Sequence, residues 1–368
     1  MTLFLWPTPP QEALLRAALG TGEQALAAFA SWTDQCDPTQ DLDGASYRLL
    51  PLLYANLTGI GCDDPLLRRL SGVYRRSWCE AQIRQTRLVR MLAVLQDAGI
   101  SVMASKGIVL ALQYYPSPGM RPMSDVDLVV PRARALEALD RLQAAGWAMP
   151  AAVSRHWRGR RDDMLALVSG VNLNHADGGE LDVQWRLVHE CVSEAADRRF
   201  WAAALPFEVG ERQLLRPSPA DLLFHVVVHG LRPNELSPIR WIADAAMILR
   251  RDAAAIDWDE LLDFADRMRL RHRLGLGLRY LKRTIGLDLP DPALRTTDVR
   301  PHWIERLDAR ADAALLSGRS ARGKTGLPFL AFLLRFMISD GRSVLPRLVL
   351  NWFALKLRSL REREVSAV

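Results

Sequence analysis

Strand patterns are confined to the middle of the chain, and this limits the possible fold more than any other feature of the sequence. From about residue 10 to 98, apolar residues recur at helical spacings, and no alternating stretch interrupts them. From about residue 190 onward the spacing is helical again. Residues 99–190 instead carry short apolar runs and alternating stretches, which are typical of strands. The sequence therefore predicts an α+β protein, in which a mixed-sheet core (99–190) lies between helical regions 1–98 and 191–368.

The middle region predicts strands and helices in a definite order. Glycines and prolines bound most of these stretches, and the Asp177-Gly178 pair is typical of a hairpin turn. The expected elements are a strand at 100–104, a helix at 108–115, a strand at 126–130, a helix at 132–145, a strand near Trp147, and a hairpin of 171–175 with 181–185. Helices are expected after residue 190, including one at 328–338.

Three aspartates in the predicted strands form the candidate chemical centre. Asp125 and Asp127 are two residues apart, so strand alternation places both on one face, with backbones roughly 6–7 Å apart. Asp182 lies in mid-strand with Leu181 and Val183 pointing to the opposite face. A carboxylate there needs a partner, and a shared divalent cation would supply one. The spacing predicts a metal site made by these three aspartates.

Basic and small residues upstream of the aspartates predict an anion site. Ser105-Lys106-Gly107 falls where the first strand meets the next helix, and a helix N-terminus favours phosphate. Lys106 could add a point charge for the phosphates. The planar fork of Arg121 suits a phosphate or an acceptor, although a structural ion pair is the alternative.

Two further pairs of side chains have mainly structural interpretations. His225 and His229 are four residues apart on one predicted helix face and could ligate zinc, but the intervening residues lack the usual glutamate, which favours packing. Trp241 and Asp244 are three residues apart on another helix, which favours a structural anchor between regions. The basic segment at 352–363 is expected to be a packed terminal helix, with a membrane-surface or partner helix as the alternative.

The runs from Lys106-Gly107 to 119–130, with Leu181 to Trp185 later, resemble an uncharacterised nucleotidyltransferase family of the polymerase-β-like superfamily. The superfamily's usual Gly-Gly or Gly-Ser is replaced here by Lys106-Gly107. The resemblance implies a minimal nucleotidyltransferase core that moves a nucleoside monophosphate from an NTP, expected to be ATP, and releases pyrophosphate. It implies two Mg²⁺ ions, with Mn²⁺ as the alternative metal.

The resemblance also implies roles for individual residues. Asp125 and Asp127 would hold both metals, and Asp182 would help to activate the attacking group of the acceptor. The expected nucleotide-binding residues are Ser105, Lys106, Gly107, Arg121 and Ser124.

The acceptor and the partners are less constrained by the sequence. A formal net charge of +6 suits an anionic ligand without identifying it. A peptide, a saccharide-like small molecule or a protein side chain is expected as the acceptor, and nucleic acid ranks lower. Unpaired cysteine spacing and the lack of a signal or transmembrane pattern predict a cytoplasmic protein. A non-catalytic nucleotide-binding scaffold and a phosphotransferase that uses the NTP γ-phosphate remain as alternatives.

Overall fold

The computed structural model of the protein describes residues 4–38, 42–235, 237–294 and 299–316, together with residue 334. The helix expected at 328–338, apart from residue 334, and the basic segment at 352–363 lie outside the described residues. Within the described ranges, the chain forms one mixed sheet, and helices precede and follow its strands in the sequence. The predicted α+β class is confirmed.

The first helices follow from capping residues and buried stripes. They are α1 (Pro9–Leu19), α2 (Gly22–Gln35), α3 (Gly44–Tyr47), α4 (Leu50–Gly59) and α5 (Leu66–Asp97). Thr8 begins α1 with a capping box that includes Gln11, and Pro9 suits the first turn, where its missing N–H costs nothing. The 32 residues of α5 bury only one stripe, which includes Leu88, Leu92 and Leu95. A long helix of this kind covers the core with one face and leaves its arginine-rich faces to solvent.

A single sheet lies at the centre of the described chain. Its strands are β1 (Met103–Ser105), β2 (Val126–Val129), β3 (Trp147–Ala148), β4 (Gly170–His175), β5 (Glu180–Gln184), β6 (Leu205–Val209) and β7 (Arg212–Arg216). Their spatial order is β3-β4-β5-β2-β1-β7-β6. Between them lie α6 (Lys106–Gln113), α7 (Ala135–Ala144), α8 (Ala151–Trp157), α9 (Arg161–Leu167) and α10 (Glu194–Ala202).

The strands at the centre of the sheet are paired in both directions. β1 is antiparallel to β2, whereas β2 is parallel to β5, with Asp127 directly opposite Asp182. β4 and β5 form the expected antiparallel hairpin, in which Asn172 lies opposite Asp182. This register brings two residues that are far apart in sequence to adjacent positions in the sheet.

The sheet extends beyond the predicted end of the core at residue 190. β6 and β7 form a hairpin, and β7 pairs in parallel with β1, so the expectation of helix throughout 191–368 is wrong for these residues. Their apolar alternation is short, since only Phe207, Val209 and Leu214 are buried among polar neighbours. The short helices α8 and α9 were not predicted either. The division into three regions stays a prediction.

The remaining helices surround a nearly buried central one. They are α11 (Pro219–Gly230), α12 (Arg240–Asp252), α13 (Trp258–Arg267), α14 (Arg271–Tyr280), α15 (Asp291–Leu294) and α16 (Trp303–Leu316). The run from Leu222 to Val228 on α11 is buried throughout, so this helix packs on several sides. Across the described ranges, no helix combines the length and the apolar character that crossing a bilayer would require.

Close contact between α11 and α14 depends on a glycine. A Cβ atom on Gly277 would lie 2.3 Å from Cγ1 of Val227 and 3.3 Å from Cδ1 of Leu231. Gly72 on α5 is the opposite case, because a Cβ there meets nothing within 4 Å.

We expect Gly277→Ala to lower the free energy of unfolding by about 1–3 kcal/mol, because the added methyl overpacks the α11–α14 contact. The matched control Gly72→Ala should raise it by roughly 0.5–1 kcal/mol through helix propensity alone. Equilibrium denaturation of both variants measures the difference. Equal stabilisation by the two substitutions would show that the helices do not approach as closely as described.

Candidate active site

One cavity of about 610 Å³ lies where the sheet meets α11 and α12. It is lined by acidic, basic and apolar side chains together. Of the residues predicted from the sequence, it brings together Lys106, Gly107, Arg121, Asp125 and Asp127. A concave site with a few convergent charged groups is the usual form of a small-molecule site.

The start of α6 forms one part of the cavity. Lys106 has a backbone φ of 41°, in the left-handed region that residues with a side chain rarely adopt. A Cβ on Gly107 would lie 3.2 Å from Nη1 of Arg121 and 3.2 Å from Sδ of Met123, so the neighbouring segment packs closely against this glycine. The turn therefore holds strained backbone at the junction of strand and helix, as functional sites often do.

The carboxylates lie on β2 and just before it. β2 begins at Val126, so Asp125 occupies the bend that precedes the strand. Asp127 is buried, and its Oδ1 accepts hydrogen bonds from Lys106 Nζ at 3.0 Å and from Gln184 Nε2 at 3.1 Å. Gln184 also donates to Oδ2 of Asp182. One amide therefore bridges the two carboxylates that the strand register places side by side.

Asp182 lies beside a second negative charge that is only partly compensated. Burial, together with the nearby charge of Asp127, raises the pKa of Asp182 to about 6. The hydrogen bond from Gln184 and the ammonium of Lys106 oppose this shift without cancelling it. A buried group with such a neighbour gains from an additional cation.

The donor set suits Mg²⁺, which takes oxygen ligands and is often bound by one or two carboxylates plus substrate phosphates. Asp125 and Asp127 both line the cavity and are suited to that role. Within the ranges the structure describes, no three His, Cys, Asp or Glu side chains converge closely enough to hold a metal by themselves. The residues therefore fit a metal that arrives with a phosphate ligand better than a closed protein cage.

Arg121 is engaged by Asp244 of α12. Its Nε donates to Oδ1 at 2.7 Å and its Nη2 to Oδ2 at 2.8 Å, and Tyr115 Oη donates to the same carboxylate at 2.9 Å. Both charged side chains are 5% exposed. Asp244 holds Arg121 charged, because the nearby carboxylate raises its pKa against the effect of burial. The structural ion pair considered for Arg121 is present, and its contact with a phosphate stays a prediction.

The two histidines of α11 face the same cavity and pack against each other. Their rings are 5.9 Å apart, and Nδ1 of His225 lies 3.4 Å from Oγ of Ser105. Nδ1 of His229 lies 3.0 Å from Nη1 of Arg232. Burial, with the charges of Lys106 and Arg232, lowers the pKa of both histidines well below the usual value. Both rings are therefore neutral at pH 7 and do not act as cations there.

Two of the predicted nucleotide-binding residues, Ser105 and Ser124, are not among the described residues that line the cavity. Ser105 is fully buried behind the strand–helix junction. Ser124 is exposed, and its Oγ donates to Asp125 Oδ1 at 3.2 Å. Their predicted contacts with nucleotide remain untested.

Sequence reasoning assigned no role to Gln184, the bridging amide, nor to Arg48, Ser237 and Arg240, which also line the cavity. For Gln184 a signal was present, since a residue two positions after Asp182 on a strand shares its face. Arg48 lies in a turn, Ser237 in the loop before α12 and Arg240 at its first residue, and their sequence positions carry no comparable signal.

Comparison with known proteins gives one match and one absence. A search of the curated proteins finds no match. Residues 45–286, which include β1 to β7 and the cavity lining, match the description "uncharacterised nucleotidyltransferase". This match agrees with the paired carboxylates, the strained strand–helix junction and the mixed sheet described above. The chain belongs to the uncharacterised nucleotidyltransferase family.

Proposed function

We propose that the protein transfers a nucleoside monophosphate from an NTP, expected to be ATP, to a small-molecule, peptide or protein acceptor with release of pyrophosphate. The single observation that carries the proposal is the in-register pair Asp127 and Asp182, with Asp125 adjacent on the cavity side. Family membership supports nucleotidyl transfer as the general reaction.

The attacking group of the acceptor forms a bond to the α-phosphorus of the NTP. The bond from that phosphorus to the bridging α–β oxygen breaks, and pyrophosphate leaves with the electron pair. The proton of the attacking group passes to the carboxylate of Asp182, which Gln184 holds in place beside Asp127. A general base must lie within reach of the proton that it accepts, and the carboxylate of Asp182 is proposed for this role because of its position beside Asp127.

Asp125 and Asp127 are proposed to hold Mg²⁺, or Mn²⁺, together with the nucleotide phosphates, and two ions are expected. Bound there, the metal supplies charge neutralisation for the phosphates and for the leaving pyrophosphate. The N-terminus of α6 would supply backbone donors for the same phosphates.

Lys106 is proposed to change partners during this reaction. Its side chain is 18% exposed, and its ammonium contacts Asp127, the carboxylate that the metal would need. When metal and nucleotide bind, Lys106 leaves Asp127 and contacts a phosphate, where a point charge is useful. The strained backbone at Lys106 is consistent with a side chain kept for this role rather than for stability.

Labelled nucleotide tests the reaction class. With Mg²⁺ and a cell extract as the acceptor source, we expect label to be transferred from α-labelled ATP and not from γ-labelled ATP. Asp125→Asn and Asp127→Asn should each lower transfer by roughly 100-fold or more, because each removes a negatively charged oxygen ligand for the metal that neutralises the phosphates. Asp263→Asn, an exposed carboxylate on α13, is the matched control and should retain wild-type transfer.

Two results of this experiment would contradict the proposal. Transfer from the γ position would identify a phosphotransferase. Absence of NTP binding and turnover under any metal, with both Asn variants identical to the wild type, would favour the scaffold alternative.

Metal affinity tests the role of Lys106. Without nucleotide, we expect Lys106→Met to bind Mn²⁺ roughly ten-fold more tightly than the wild type, because the competing ammonium is gone. The same variant should bind ATP with Mg²⁺ about ten-fold or more weakly, because a charged donor to phosphate is lost.

The control for the Lys106 prediction is Lys282→Met, which removes an exposed lysine and should change neither affinity. Electron paramagnetic resonance measures the affinity for Mn²⁺, and calorimetric titration measures the affinity for ATP with Mg²⁺. Weaker Mn²⁺ binding by Lys106→Met would show that Lys106 does not compete with the metal.

A further inference from the structure

The cavity has a second group of basic and polar residues that the proposed reaction does not use. Arg48 follows α3, and Ser237 and Arg240 lie at the start of α12. We call these three residues the arginine wall. They line the same cavity as Asp125 and Asp127 but come from different parts of the chain.

The positive charges of the arginine wall lack close counterions. Among the described residues, neither Arg48 nor Arg240 has a carboxylate within 4 Å. Within the part of the chain that the structure describes, the Arg240 side chain forms one hydrogen bond, from Nη1 to Pro122 O at 3.0 Å. Burial, with the charges of Arg121 and Arg48, lowers the pKa of Arg240 to about 10 against the opposing effect of Asp244 and Asp125, so Arg240 remains charged at pH 7. A partly buried cation of this kind is stabilised by an anion.

Three of the four carboxylates that line the cavity are engaged or exposed, and the fourth, Asp125, is the one proposed to hold the metal. Asp127 holds Lys106, and Asp244 holds Arg121 in a two-bond contact. Glu235 also lines the cavity, but its side chain is exposed, so water screens its charge. Within the described residues, neither arginine of the wall is therefore paired with one of these carboxylates.

Buried polar atoms at the same place also lack partners. Oγ of Ser237 and Nε1 of Trp241 are buried and form no hydrogen bond within the described part of the chain. The two residues are 7% and 5% exposed, and both line the cavity. Buried polar groups are nearly always satisfied, so two orphans beside an unpaired cation indicate an absent hydrogen-bond acceptor.

The nucleotide phosphates have a separate place in the cavity. They are assigned to the start of α6, next to Asp125 and Asp127. Arg121 lies close to Gly107 at the start of α6 and is paired with Asp244 on α12. This ion pair therefore lies between the start of α6 and the start of α12. A second anion can therefore occupy the arginine wall while the nucleotide is bound.

We infer that the arginine wall binds a phosphate or carboxylate group of the acceptor, so the acceptor is an anionic molecule. This inference rests on the proposed function, which it deepens by giving the chemical class of the second substrate. Guanidinium forks bind both anions through paired hydrogen bonds, and Ser237 can donate one more.

Calorimetric titration with two probes, inorganic phosphate and acetate, tests the inference. We expect at least one of them to bind with and without saturating α,β-methylene-ATP and Mg²⁺, and the anion that binds identifies the class. Arg240→Gln should weaken that binding by roughly 10-fold or more, while the affinity for the nucleotide analogue stays within about two-fold.

Arg48→Gln provides a second variant on a different element, with the same expected loss of anion affinity. The matched control is Arg251→Gln, an exposed arginine later on α12, which should leave anion binding unchanged. Displacement of the anion by the nucleotide analogue would assign the arginine wall to the triphosphate and overturn the inference. Absence of anion binding, or equal binding by both wall variants and the wild type, would also overturn it. Failure of the analogue itself to bind would instead contradict the proposed function.

Discussion

The parallel, in-register pairing of β2 with β5 is the constraint on which the rest of the site depends. It places the carboxylates of Asp127 and Asp182 on adjacent strands in a largely buried sheet. Two like charges there are unfavourable unless cations and hydrogen-bond donors compensate them. Gln184 and Lys106 supply part of that compensation, and both contact Asp127. Because Gln184 and Lys106 compensate the two carboxylate charges only in part, the same place suits a divalent cation.

A second buried interaction fixes the opposite boundary of the cavity. The Arg121–Asp244 pair ties the segment before β2 to α12, across 123 positions of sequence. Breaking such a pair leaves an uncompensated buried charge, at a cost of about 3–5 kcal/mol. The cavity is therefore bounded by the ends of the central strands β1 and β2 and by α12, which this pair holds in place. The same pair helps to place Arg240, which lies one helical turn before Asp244 on α12. Arg240 also donates a hydrogen bond to the carbonyl of Pro122, in the segment before β2.

The sequence predicted the parts of this arrangement that local patterns encode. The alternation around Asp182 gave the β4–β5 hairpin, and the apolar run after Asp127 gave β2, because side-chain period is a local property. Strand order is not local, so the position of Asp182 beside Asp127 could be expected from the family resemblance but not measured. The β6–β7 hairpin was missed because its strands are short, bury few residues, and include Pro206, which argues against a strand. No local pattern could reveal the arginine wall, because its members are distant in sequence and meet only in the folded chain.

The central claim is that the α-phosphate of an NTP and its metal meet Asp125 and Asp127 in this cavity. The most direct test is a crystal structure with Mn²⁺ and α,β-methylene-ATP, in which anomalous scattering locates the metal. We expect a metal peak bound by Asp125 and Asp127, with the α-phosphorus beside it and Lys106 displaced from Asp127 onto a phosphate. A nucleotide bound elsewhere, or a metal that contacts neither aspartate while Lys106 stays on Asp127, would contradict it.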